Sequence, residues 1–285
     1  MLGIAVYSVM DMLMKRLSIE DGAYAAVLWR SVVGVVLTGA VFVARRRPWP
    51  TGPALRLHIW RGLAAGLSVL LFFWGMARVP MAQSVAITFL APLLAIFLAA
   101  LTLGERVRRA AVAGSGVATL GVLVIALGEA RAAASTQTVL GTIAIFVASI
   151  LYAASLVLLR RQAQAADPLE VTFFTSLVIG VAMLPAAPWT SAWPTAAQLP
   201  AILGAAMLGT VSALLIAWAY ARAEAQALAT VEYTAFVWAA LFGWLAFGER
   251  VSGWTVAGAL LIVAGCAVAM RGREPLGVAA TEAAA

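Results

Sequence analysis

The chain has 285 residues, 64% of them apolar and 11% charged, with a formal net charge of +7 and a mean hydropathy of +1.00. A soluble domain carries about a quarter of its residues charged, so this balance excludes one and describes a chain that lives in lipid. One cysteine excludes a disulfide framework and one histidine leaves a metal centre without ligands; the positive charge fits loops that orient a membrane protein, not a nucleic-acid surface.

Ten apolar segments follow in order, near residues 1–17, 23–44, 58–77, 81–102, 110–128, 138–159, 169–188, 199–221, 225–247 and 253–270. Most approach the ~20 residues that cross a hydrocarbon core as a helix. The opening stretch, Met1–Met14, has no basic region and no small-residue cleavage site, so it reads as a span and not as a signal peptide. The breaks are punctuated by Arg45-Arg46-Arg47-Pro48-Trp49-Pro50, Val79-Pro80, Gly104-Glu105-Arg106, Asp167-Pro168 and the stretch from Pro185 to Pro194. His58, at the edge of the third segment, is expected in a basic loop. Residues 129–137 read as a linker and 272–285 as a disordered cytoplasmic tail.

The segments repeat. Residues 91–107 read APLLAIFLAALTLGERV and residues 235–251 read AFVWAALFGWLAFGERV. At the same offset Gly114 and Gly121 recur as Gly258 and Gly265, a spacing that suggests close helix packing. Internal repeats fix architecture. Each half, 1–128 and 138–271, has five helices, an odd number, so the copies must insert with opposite orientation, as in secondary transporters. The expected fold is an all-α polytopic membrane protein: one transmembrane domain, 1–271, with ten helices as two inverted five-helix repeats around a central cavity. With the N-terminus inside, 13 loop and tail arginines lie in the cytoplasm against 5 basic residues outside. That bias predicts a bacterial inner-membrane protein with both termini cytoplasmic.

The ten short helices, the paired halves and Pro92 followed by LLAIFLAALTLGE resemble the EamA family of the drug/metabolite transporter superfamily, over essentially the whole chain. The second copy, VEYTAFVWAALFGWLAFGE, has Phe236 at the counterpart of Pro92 and is similar to the branch that exports aromatic amino acids. The resemblance implies a ten-helix bundle around a cavity without an ATPase domain, and no Gly-x4-Gly-Lys-Ser/Thr loop is present. It implies no enzymatic activity. The expected partners are a small-molecule substrate and the lipid bilayer, with no cofactor, no metal and a monomer-competent chain.

Charge inside a bilayer is costly and usually faces a cavity or a partner. Tyr7, Asp11 and Lys15 lie at i, i+4 and i+8 on one helix face. They line the cavity, or Asp11 and Lys15 neutralise each other near the outer surface. Arg30 suits a substrate carboxylate, or pairs with Asp11 or Glu232. Glu232 is an unpaired glutamate at the position of Thr88 in the first copy; it holds the substrate's ammonium, exchanges protons, or is held by helix ends. Tyr7, Trp74, Tyr152, Trp218, Tyr233 and Trp238 are candidate aromatic wall residues, with Gln83 and Thr88 as neutral hydrogen-bond partners. Lys15, Glu105 and Glu249 are candidate gates or plain helix-end residues. The function that fits is export of small metabolites, aromatic or other apolar amino acids first, by facilitated alternating access. The alternatives are a drug or lipophilic-cation exporter, proton-coupled or not, and a non-transporting membrane protein.

Overall fold

The computed structural model describes residues 2–46, 49–103, 107, 109–131, 135–162, 166–190, 193–220 and 234–270. Among them all regular structure is helical: α1 (Leu2–Glu20), α2 (Ala23–Ala44), α3 (Gly52–Met76), α4 (Met81–Thr88), α5 (Ala91–Leu103), α6 (Arg109–Arg131), α7 (Thr136–Gln162), α8 (Pro168–Met183), α9 (Ala187–Thr190), α10 (Leu199–Tyr220), α11 (Thr234–Phe247) and α12 (Gly253–Met270). With α4–α5 as one broken rod and α8–α9 as another, these make the ten expected spans. Six are long and apolar enough to cross a membrane, and α10, α11 and α12 add shorter apolar stretches. The expected start of the ninth span, 225–233, lies outside the described residues.

The break between α4 and α5 has a local cause. Proline lacks an N–H, and its ring clashes with the carbonyl four residues back. Pro92 therefore disrupts the helix near Thr88. Phe89 and Leu90 form tight turns back to the carbonyls of Ala86 and Ile87, at 3.2 and 3.1 Å. Cys266 of α12 donates its thiol to the carbonyl of Phe89 at 3.3 Å, so an acceptor at the break is satisfied from a neighbouring helix.

The third helix corrects one expectation. It begins at Gly52, with Pro53 in its first turn, where the missing N–H costs nothing. His58 therefore lies on a helix, not in a loop. It is 3% exposed. Its Nδ1 accepts from Gln162 at 2.7 Å, and its Nε2 lies 3.0 Å from Glu170. Arg61, counted among the loop cations, is likewise half-buried on α3. Lys15 is buried too. Moving both into the bundle leaves the sign of the arginine bias unchanged.

Helices pair by close approach. α6 packs on α12, α3 on α7, α1 on α10 and α2 on α8. Water-driven burial is absent between helices in lipid, so small residues that admit the neighbouring backbone set the interfaces. A Cβ on Gly114 would stand 2.3 Å from the carbonyl oxygen of Gly265, and one on Gly121 2.6 Å from that of Gly258. A Cβ on Gly75 of α3 would meet the carbonyl of Gly141 of α7 at 2.6 Å. At one end of the bundle lie the α1–α2 turn, the α3–α4 turn and the end of α11. At the other lie the end of α2, the start of α3 and the α7–α8 connection, where Arg45 pairs with Asp167 at 3.6 Å.

Candidate functional site

The site is built on α1, α2, α3 and α7. Tyr7 shares a face of α1 with Ile4, Asp11, Lys15 and Ser18, all buried. Tyr152 shares a face of α7 with buried Ala148, Ser149 and Ser155. Yet Tyr7 is 41% exposed and Tyr152 46%. On each helix the exposed ring stands away from the other exposed side chains, which on α7 include Phe146, Val147 and Ile150. Asp11 and Arg30 lie within electrostatic range of Tyr7, and Tyr152 lies within range of both Tyr7 and Arg61.

Two polar groups here are short of partners. Asp11 is 5% exposed, and its Oδ1 is buried without a hydrogen-bond partner among the described residues. The Arg30 guanidinium reaches the sulfur of Met10 at 3.8 Å and lies 5.9 Å from the centre of the Phe73 ring. Among the described residues it has no oxygen acceptor. The two are electrostatic neighbours without a direct ion pair. A buried charged group lacking its hydrogen bonds is expensive, and a ligand with a carboxylate and an ammonium would satisfy both.

Lys15 belongs elsewhere. Only 2% exposed, it donates to the carbonyl of Val79 at 2.7 Å and to Glu249 Oε1. Its ammonium also stands 5.2 Å from the centre of the Phe247 ring. The other Glu249 oxygen accepts from the backbone N–H of Met81 at 2.8 Å, so one carboxylate joins α1 and caps the start of α4. A helix C-terminal turn places it there. Gly248 takes φ +66°, and the Glu249 N–H returns to the carbonyl of Gly243 at 3.1 Å. A Cβ on Gly243 would lie 2.6 Å from Glu249 Oε2 and would push that carboxylate oxygen off the Met81 N–H.

The remaining sequence candidates scatter. Gln83 is buried on α4 and donates to Thr142 at 3.2 Å. Thr88 bonds the carbonyl of Val85 at 2.7 Å beside the helix break. One face of Trp74 is covered by Arg78 of the turn that follows α3, whose guanidinium stands 3.6 Å from the ring centre. Trp238, half-buried on α11, stacks on Phe242. Glu105, Glu232 and Tyr233 lie outside the described residues, as does the side chain of Trp218. The structure brings Tyr7, Asp11, Arg30 and Tyr152 together.

Sequence reasoning missed Arg61 and His58. Arg61 donates to Thr175 of α8, and its Nε is buried without a partner among the described residues. Its signal was the spacing to Ala65 and Ser68, an inward face of α3 once the helix is begun at Pro53.

The sequence profile of the EamA-like transporter family matches residues 1–127 and again 139–271. The chain is 26% identical over 277 residues to the pseudopaline exporter of Pseudomonas aeruginosa, covering 94% of this chain and 93% of that one. It is 28% identical to a riboflavin transporter of Rhizobium johnstonii, over 75% of this chain and 70% of that one. It is 32% identical to a probable terminal-alkyne amino-acid exporter of Streptantibioticus cattleyicolor, over 56% of this chain and 54% of that one. A crystal structure shares the fold, with a TM-score of 0.58 and 22% identity over 94% of this chain and 96% of that one.

Proposed function

The chain belongs to the EamA-like transporter family, and from that premise we propose that it exports small amino-acid-type metabolites by alternating access across the bacterial inner membrane. One observation carries the substrate reading. Asp11, with an unpartnered oxygen, and Arg30, without an oxygen acceptor, lie within electrostatic range of Tyr7, and we read the exposure of Tyr7 and Tyr152 on otherwise buried helix faces as an internal space beside them. Asp11 takes the ammonium and Arg30 the carboxylate, while the tyrosine rings flank the substrate's side chain. The aromatic and apolar amino acids expected from the sequence are one set that such a wall suits. The amino-acid exporter among the relatives supports this class. A lipophilic-cation exporter is disfavoured, because Arg30 would repel its cargo.

In this reading the halves 1–128 and 138–271 are inverted repeats. The pairings α1 on α10 and α3 on α7 exchange with one another under such a symmetry, while α6 on α12 and α2 on α8 map onto themselves. The Lys15–Glu249 contact is the closed gate at the outer end, and both termini are cytoplasmic. Transport is facilitated, driven by the substrate's own gradient.

The test is counterflow in proteoliposomes holding the purified protein. Vesicles preloaded with unlabelled amino acid should accumulate labelled amino acid, and Arg30→Gln should weaken this without loss of folded protein. No counterflow with any amino acid would overturn the reading.

A further inference from the structure

Two adjoining clefts lie where α1, α2 and α10 meet, at the same end of the bundle as the Lys15–Glu249 pair. The first, about 180 Å³, is lined by Leu17, Ala26 and Ile202, all buried. Trp29 of α2 and Trp193 line it too, their ring centres 5.2 Å apart at 41°. Trp193 is 83% exposed, so core packing does not hold it there. Asp21 and Gln198 supply polar atoms. The carboxylate is held in position. Gln198 accepts from the Thr195 N–H at 2.8 Å, which fixes its amide, and donates to Asp21 Oδ1. That contact uses one of the two carboxylate oxygens. Aromatic rings and a carboxylate around one small cleft are the chemistry that recognises an organic ammonium.

The second cleft, about 320 Å³, shares Leu17 and Gln198 with the first. Its charged end is Arg16, whose Nε donates to Glu20 at 2.9 Å and whose terminal nitrogens have no acceptor among the described residues. Its apolar end is Leu13, Pro200 and Ala201. Leu13 lies seven residues before Glu20 on α1, about 10 Å at the helical rise. That depth separates headgroups from the upper acyl chain, and tryptophans gather there in membrane proteins. Ammonium, anion and apolar chain are thus called for in the order in which a phospholipid carries them. A free ammonium compound has no chain to lay along Leu13.

We propose that these clefts hold one zwitterionic phospholipid of the leaflet at that end. Its ammonium sits among Trp29, Trp193 and Asp21, its phosphate on Arg16, and one acyl chain along Leu13 and Ala201.

Native mass spectrometry of the purified chain in detergent tests this, with dioctanoyl phosphatidylethanolamine and dioctanoyl phosphatidylglycerol as probes. The two share phosphate and chains, and only the first has an ammonium. It should bind about tenfold to a hundredfold tighter, the range expected for one charge-assisted contact. Asp21→Asn keeps an acceptor for Gln198 and should abolish the preference. Trp193→Ala should weaken the ammonium lipid severalfold, while Trp189→Ala, at an equally exposed tryptophan that lines neither cleft, should not. Arg16→Gln should weaken both lipids, and unchanged binding there overturns the phosphate contact. Equal binding of the two lipids overturns the site, as does a preference that survives in folded Asp21→Asn. Glycerophosphoethanolamine, the same headgroup without chains, should compete more than about tenfold less well than the lipid. Equal competition overturns the lipid and leaves a site for a free ammonium compound.

Discussion

Lys15 and Glu249 meet across 234 residues of sequence in an ion pair whose lysine is 2% exposed. The pair does more than neutralise charge. Through the Met81 N–H, the same carboxylate fixes the start of α4 against α1. Three segments are thereby tied at one end of the bundle, one turn of α1 beyond Asp11.

Removing one partner of a buried pair leaves the other charged and unmatched, at about 3–5 kcal/mol. Lys15→Met and Glu249→Gln should each lower the thermal unfolding temperature of the purified protein in detergent. The double variant should lose less than the sum, because it strands no charge. Additive losses would show that the two residues are not coupled.

The α6–α12 seam gives a sharp contrast within one helix. Gly114→Ala puts a methyl 2.3 Å from the Gly265 carbonyl, and backbone cannot step aside as a side chain can. It should destabilise by at least the 1–3 kcal/mol of ordinary overpacking. Gly116, with nothing within 4 Å of its built Cβ, should accept alanine with a gain of up to about 1 kcal/mol in helix propensity. Unfolding temperatures of the two variants decide it.

Topology is tested with single cysteines at Arg109 and Ser252, both exposed residues. The background is Cys266→Ser, which keeps a donor for the Phe89 carbonyl. In intact cells an impermeant thiol reagent should label position 252 and spare position 109. The reverse pattern would invert the molecule.

Energy coupling separates the two uses of a buried acid. Facilitated export predicts that an imposed pH gradient leaves uptake into vesicles unchanged. Asp11→Asn should weaken substrate affinity about tenfold to a hundredfold, the cost of one charge-assisted bond. Gradient-driven accumulation that vanishes in Asp11→Asn or Glu232→Gln would make that residue a proton site instead.

Spans were legible because hydrocarbon demands length and apolarity, which any window of sequence displays. The glycine seam was legible as spacing, since Gly114 and Gly121 lie on one helix face. The Lys15–Glu249 pair was not. Helical spacing offered Asp11 as the partner of Lys15, and only the packing of α1 against α11 brings Glu249 there. His58 and Arg61 were hidden differently. Local charge around Arg56 imitated a loop, and what fixes them is a first-turn proline with a donor on α7 and an acceptor on α8, 104 and 114 residues away.

The two glycine contacts of the α6–α12 seam exchange places under the offset of 144 positions between the two sequence copies: Gly114 on Gly265 becomes Gly258 on Gly121. At both contacts backbone meets backbone, with no side chain to yield between the two helices. A seam made that way keeps one register, because sliding or turning one helix on the other drives carbonyl oxygens into Cα carbons. The α6–α12 pair is thus a stiff spar, and any residue larger than glycine at these positions would prise it apart along its length.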